Sequence, residues 1–191
     1  MTQNKVSLGN SAAAERLLRP ASLWAADCAD LALAVFEDLE REDSRPRDAI
    51  TGSREFGRGS RRDKKIRTLA WAAHSAANES GYQPAKYAAR SAMLAAAVAY
   101  THTDLNHGRQ GVNQARHLLG PAVYAALACE MVAEDGTGVA DSVLKIAANT
   151  APQEIGVLLH CFPPQPVGTT RLSQLFHKFD ANMRSVFVDC G

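Results

Sequence analysis

The residues best equipped for chemistry lie in Thr101-His102-Thr103-Asp104-Leu105-Asn106-His107, with His117 ten residues further on. Imidazoles with a carboxylate form a donor set that zinc or another transition metal accepts. The spacing works against a preformed site. His102, Asp104 and His107 fall at i, i+2 and i+5, which spreads them around a helix instead of along one face. A loop would have to gather them, so a metal-dependent enzyme using His102, Asp104, His107 and His117 is an alternative reading of this stretch. The other reading is structural: Thr103 or Asp104 caps the next helical turn, and the histidines serve backbone carbonyls at helix ends.

Other candidate chemistries fail on spacing. His74 sits alone in Ala72-Ala73-His74-Ser75-Ala76-Ala77, a setting that suits a half-buried side chain satisfied by a neighbouring helix. No serine lies in a G-x-S-x-G elbow. His160 and Cys161 are adjacent, but neighbours on a helix point about 100° apart and make a poor dyad. Gly52-Ser53-Arg54-Glu55-Phe56-Gly57-Arg58-Gly59-Ser60 has glycines but neither the Lys-Ser/Thr ending nor the preceding strand of a phosphate loop. No E-x-x-H pair suggests a di-iron bundle. The residues therefore predict a protein that is not an enzyme and needs no cofactor.

Charge points to contact with a partner. The chain carries 21 basic and 20 acidic residues, a balance that marks neither nucleic acid nor a membrane as partner. Locally the signs separate: Glu37 to Asp43 is acidic, and Arg61 to Arg67 is basic. Such blocks are commonly solvated helix ends. The sharper expectation is a docking patch that includes Glu37, Glu40, Asp43, Arg45, Arg47, Arg54, Arg58 and Arg61.

The elements that must position these residues read as helices. Alanine supplies more than one residue in six and aromatics only 6%, a composition that favours close helix packing over sheets. A first helix starts near Ser11, breaks or bends at Pro20 and resumes to about Glu40. Ser44, Pro46 and Asp48 start a short second one. Ser60 caps a third to about Asn78, and Gly81 supplies its left-handed stop. Pro84 opens a fourth to about Thr101, and a polar loop runs to Gly111. A fifth runs from Val112 to about Ala133, kinked or split at Gly120-Pro121. After the turn Asp135-Gly136-Thr137-Gly138 come helices at about 139–149, 152–161 and 170–184, with Phe162-Pro163-Pro164-Gln165-Pro166 as a rigid connector.

The fold expected is all-α: stacked antiparallel helical hairpins, as an irregular bundle or a short solenoid-like array of seven to nine helices. Its expected parts are a flexible N-terminus (1–10), an Ala-rich core (11–134) and a C-terminal helical extension packed on that core (135–191). The four cysteines (Cys28, Cys129, Cys161, Cys190) form no C-x-x-C pair, no apolar run reaches membrane-spanning length, and Met1 to Ser7 is no signal peptide. A cytoplasmic location follows from these readings.

Three groups of residues also carry a family likeness. Ala26-Asp27-Cys28-Ala29-Asp30, then Val35-Phe36-Glu37, then Asp43-x-Arg45-Pro46-Arg47-x-Ala49-Ile50 resemble the opening of the Imm-5-like immunity proteins of bacterial polymorphic-toxin systems. The Ala-rich stretch from Ala95 to His107, and Gly120-Pro121-Ala122-Val123-Tyr124-Ala125, are similar to that family's middle helices. The likeness covers about residues 22–133. It implies a helical protein that binds a cognate toxin and neutralises it by occlusion. A scaffold or regulator of another cytoplasmic partner is the remaining alternative.

Overall fold

Alanine spacing determines which helix sits in the middle. The computed structural model describes residues 12–136 and 138–187. Within them the helices are α1 (Ala12–Asp30), α2 (Leu33–Leu39), α3 (Arg45–Gly57), α4 (Lys64–Glu79), α5 (Gln83–Ala97), α6 (Gly108–Val132), α7 (Val139–Asn149), α8 (Gln153–His160) and α9 (Arg171–Val186), with a 3-10 turn over Val98–Tyr100. Helix α5 buries Ala85, Ala88, Ala89, Ala92, Ala95 and Ala96. Methyl side chains on several faces let it pack against α1, α2, α3, α4 and α6 together. No strand occurs among the described residues, and the all-α expectation holds.

Successive helices also pack on one another, α3 on α4, α4 on α5, α5 on α6 and α6 on α7. Between α4 and α5 only Ser80 to Tyr82 intervene, so that pair must double back as a hairpin. The C-terminal helices close the body: α8 contacts α1, while α9 contacts α6, α7 and α8. One continuous apolar cluster runs from Leu18 to Met183. Trp24 of α1 donates its indole N–H to the Ala147 carbonyl of α7 at 2.8 Å, tying the two ends of the chain together. Cys28 is buried within this cluster, which pushes its thiol pKa well up and leaves it a small apolar residue. Among the described residues no helix is long and apolar enough to cross a membrane.

Several local expectations fail, some to tertiary contacts and some to competing bonds a few residues away. Pro20 does not interrupt α1, because Leu18 and Ala21 are fully buried on either side and Arg19 bonds the Phe56 and Ser60 carbonyls. The break falls at Leu31-Ala32 instead. Ser44 does not cap α3; its hydroxyl donates to Asp48, and Asp43 accepts the Arg45 N–H at 3.0 Å. Nor does Ser60 cap α4. The chain before α4 is pinned by Arg19 at the Ser60 carbonyl and by the Tyr100 hydroxyl at the Asp63 carbonyl, which leaves Asp63 to accept from Lys65 N at 2.9 Å.

Gly81 is not left-handed; α4 ends through an extended Ser80 whose hydroxyl accepts from Tyr82 N. Helix α6 begins earlier than expected, at Gly108, and passes through Gly120-Pro121 unsplit, with Ser91 donating to the Pro121 carbonyl at 2.6 Å. Residues 1–10, Thr137 and Cys190 lie outside the described residues.

Candidate partner-binding cleft

The charged stretch forms a face on α1, α2 and α3. Arg47 grips Glu37 through two bonds of 2.6 and 2.5 Å. Arg45 joins Asp43 at 2.6 Å to Glu79 of α4 at 2.7 Å. Arg54 sits between Asp27 at 2.8 Å and Asp30 at 2.6 Å. The hydrogen bonds from Arg45 hold the Asp43 carboxyl below its usual range, overcoming the opposite effect of burial. Burial disfavours the Arg54 charge, yet the bonds to Asp27 and Asp30 outweigh it and its pKa rises. Of the predicted contacts, Glu37, Asp43, Arg45, Arg47 and Arg54 are thus engaged within the chain. Glu40, Arg58 and Arg61 form no ion pair among the described residues, and both arginines are exposed. The Asp-x-Arg-Pro-Arg motif staples α3 to its neighbours.

On the face formed by α4, α5 and α6 the arrangement is different. Two adjoining hollows of about 490 and 420 Å³ share His74, Met93 and His117, so they form one continuous cleft. Its outer part is lined by Arg67, Trp71, Tyr100 and His102, and its inner part by Arg90, Leu94, Leu105, Gln114, Arg116, Tyr124 and Phe176. Among the described residues no aspartate or glutamate lines either part.

Local folding explains how each side chain arrives. Trp71 and His74, one turn apart on α4, meet edge to face with ring centroids 5.7 Å apart. Trp71 is 64% exposed, unusual for the largest side chain on an alanine helix. The Arg67 guanidinium lies over Tyr100, and Arg116 over Phe176, each 4.7 Å from the ring centroid. Gln165 fixes Arg116 by accepting from its Nε at 3.0 Å, and is itself held by its bond to the Val112 carbonyl and by Asp180 on its N–H. The proline-rich connector therefore positions a cleft arginine. Gln114 does the same for the loop, accepting from His102 N at 2.8 Å.

Two groups in the cleft are electrostatically unsettled. Arg90 Nε is buried with no hydrogen-bond partner among the described residues. A buried donor left unpaired costs about 1–3 kcal/mol, and such groups call for a functional explanation. Burial, and then the proximity of His102, lower the His117 pKa from its ordinary 6.5 by disfavouring the charged imidazole.

The structure brings the predicted metal cluster only partly together. His102 Nδ1 lies 3.8 Å from Asp104 Oδ1, and His102 and His117 line the same cleft, but His107 ends the loop as the residue before α6. Among the described residues no three His, Cys, Asp or Glu side chains are grouped to hold a metal. His160 Nδ1 bonds the Gly156 carbonyl at 2.7 Å and Cys161 Sγ bonds the Val157 carbonyl at 3.5 Å, each reaching one turn back along its own stretch of chain.

Sequence reasoning named His74, His102 and His117 but missed the cleft, since Arg67, Arg90 and Arg116 lie on three helices. The readable signal was a Trp, a His and an Arg standing at helix positions where their neighbours are alanine. Comparison with known proteins then adds one finding. The model of the Imm-5 like putative immunity protein family matches residues 18–153, from α1 to the start of α8. No curated protein and no solved structure matches the chain.

Proposed function

This chain belongs to the Imm-5-like immunity protein family, and we propose that it binds a cognate bacterial toxin and neutralises it by occlusion, without turnover of its own. The α4–α5–α6 cleft is the docking face in this reading. The observation that carries it is an exposed Trp71 beside three arginines that have no carboxylate partner among the described residues. Trp, Tyr and Arg in a partly enclosed pocket are the residue types that dominate binding energy at protein interfaces. A rigid helical frame adds affinity, because little has to be ordered on association. The charged α1–α3 face contributes at most a polar rim through Arg58 and Arg61.

Co-expression with the toxin encoded beside this chain tests the reading. The expected result is a complex that survives purification and cells protected from the toxin, with both lost in Trp71→Ala. A chain that neither binds nor protects would overturn it.

A further inference from the structure

We infer that the cleft is a receptor for a carboxylate side chain on an acidic segment of the partner protein, with Arg90 as its anchor. The inference rests on the immunity reading for the identity of the partner, but its chemistry stands on the cleft alone.

Three arginines line the cleft and, among the described residues, no acidic one does, so the field within it has one sign. Asp104, whose carboxylate lies 3.8 Å from His102, does not line the cleft. Arg67 and Arg116 rest on aromatic rings, which leaves their charge uncompensated by an anion. Arg90 has a buried Nε with no acceptor among the described residues. A guanidinium edge presents two parallel N–H donors, and a carboxylate is the planar group that accepts both.

The rest of the lining selects a peptide over a bare anion. Met93, Leu94, Leu105, Tyr124 and Phe176 surround the arginines with apolar surface, and Trp71 borders the outer part. Free phosphate would leave that surface uncovered, whereas an acidic residue flanked by apolar ones would cover it.

The site also predicts its own pH response. The charged and titratable groups around His117 are Arg67 and His74 from α4, Arg90 from α5, Arg116 from its own helix, and His102 from the loop. All are cationic or become so on protonation. A bound carboxylate offsets that repulsion, so binding and protonation of His117 favour each other.

The test is a side-chain NMR titration that observes Arg90 Nε–H and the imidazole protons. The probes are a blocked Leu-Glu-Leu-Glu peptide, its Leu-Gln-Leu-Gln counterpart and inorganic phosphate. We expect the Glu peptide to shift Arg90 Nε–H and the His117 ring, and the Gln peptide to bind at least tenfold more weakly. Arg90→Met should abolish the response and Arg90→Lys should restore part of it. If Arg90→Met fails to fold, Trp71→Ala at an exposed position should still weaken Glu-peptide binding several-fold. Affinity should rise at least threefold from pH 7.5 to 5.5, less in His117→Gln. Equal binding of both peptides, a response to phosphate alone, or shifts confined to Arg58 and Arg61 would each overturn the inference. The outcomes separate cleanly from those of the immunity reading. Peptide binding without any toxin complex refutes only the partner's identity, and a toxin complex unaffected by Arg90→Met refutes only the receptor.

Discussion

Arg45, Arg47 and Arg54 each end on carboxylates of the same chain, whereas Arg67 and Arg116 end on aromatic rings, and Arg90 Nε meets no acceptor among the described residues. The first set lies on α3, close together in sequence, and ties that helix to α1, α2 and α4. The second is assembled from α4, α5 and α6 around a cleft. One residue type serves cohesion in one region and stands without a counter-charge, among the described residues, in the other. Density of charge along the sequence therefore does not say which charges the fold pairs. What distinguishes the two regions is whether the counter-charge is already inside the molecule.

The proposed toxin complex is where that contrast can be broken most decisively. Arg90→Ala and Trp71→Ala should each weaken the complex by at least about 2 kcal/mol, or roughly 30-fold, measured by calorimetry. Arg54→Ala and Arg47→Ala should leave affinity within about threefold. The opposite ranking would move docking to the α1–α3 face.

A second test acts on the frame of the cleft alone. Gly111 packs so tightly that a Cβ there would lie 2.6 Å from the Pro163 ring and 2.7 Å from the Asn106 backbone. Gly111→Ala should cost about 1–3 kcal/mol in urea unfolding and disturb the cleft resonances, with those of Arg45 and Arg47 unchanged. On the paired face, Arg45→Ala should cost only about 1 kcal/mol, a loss that shrinks in high salt, because its partners remain partly solvated.

The smallest effects are those of pH, and the two regions respond in different windows. Asp43 has a lowered pKa, so its stabilisation is complete above the ordinary carboxylate range and is lost as pH falls through its folded value. His117 also has a lowered pKa, and the unfolded chain takes up that proton first. Stability should then decline as pH drops below about 6.5 and level off beneath the folded pKa. Thermal melts of Asp43→Asn and His117→Gln should each flatten only their own window.

The helices were legible because their signals are local. Pro84 sits in the first turn of α5, Thr170 caps α9 on Ser173 N, and Leu175, Phe176, Phe179 and Met183 bury one face of α9. Where a cap depended on what a distant residue does, the reading failed. Ser60 lost the α4 cap to Asp63 because Arg19 and Tyr100 fix the chain between them. The site divides the same way. Asp43 and Arg45 lie two residues apart and could be read as a pair. His74, Arg90 and His117 are separated by more than a dozen residues at each step, and only the packing of α4, α5 and α6 brings them together.

The alanine seam along α5 has one more consequence, for how the protein tolerates sequence change. A core lined with methyl groups has little to lose when a side chain is trimmed, since Ala92→Gly removes one carbon and costs mainly helix propensity, about 1 kcal/mol. Enlargement is the dangerous direction. Ala89, Ala92 and Ala96 are completely enclosed by other helices, so a leucine there must push whole backbones apart. Substitutions that widen a side chain along this seam should be purged, while the exposed side chains around it carry no such limit.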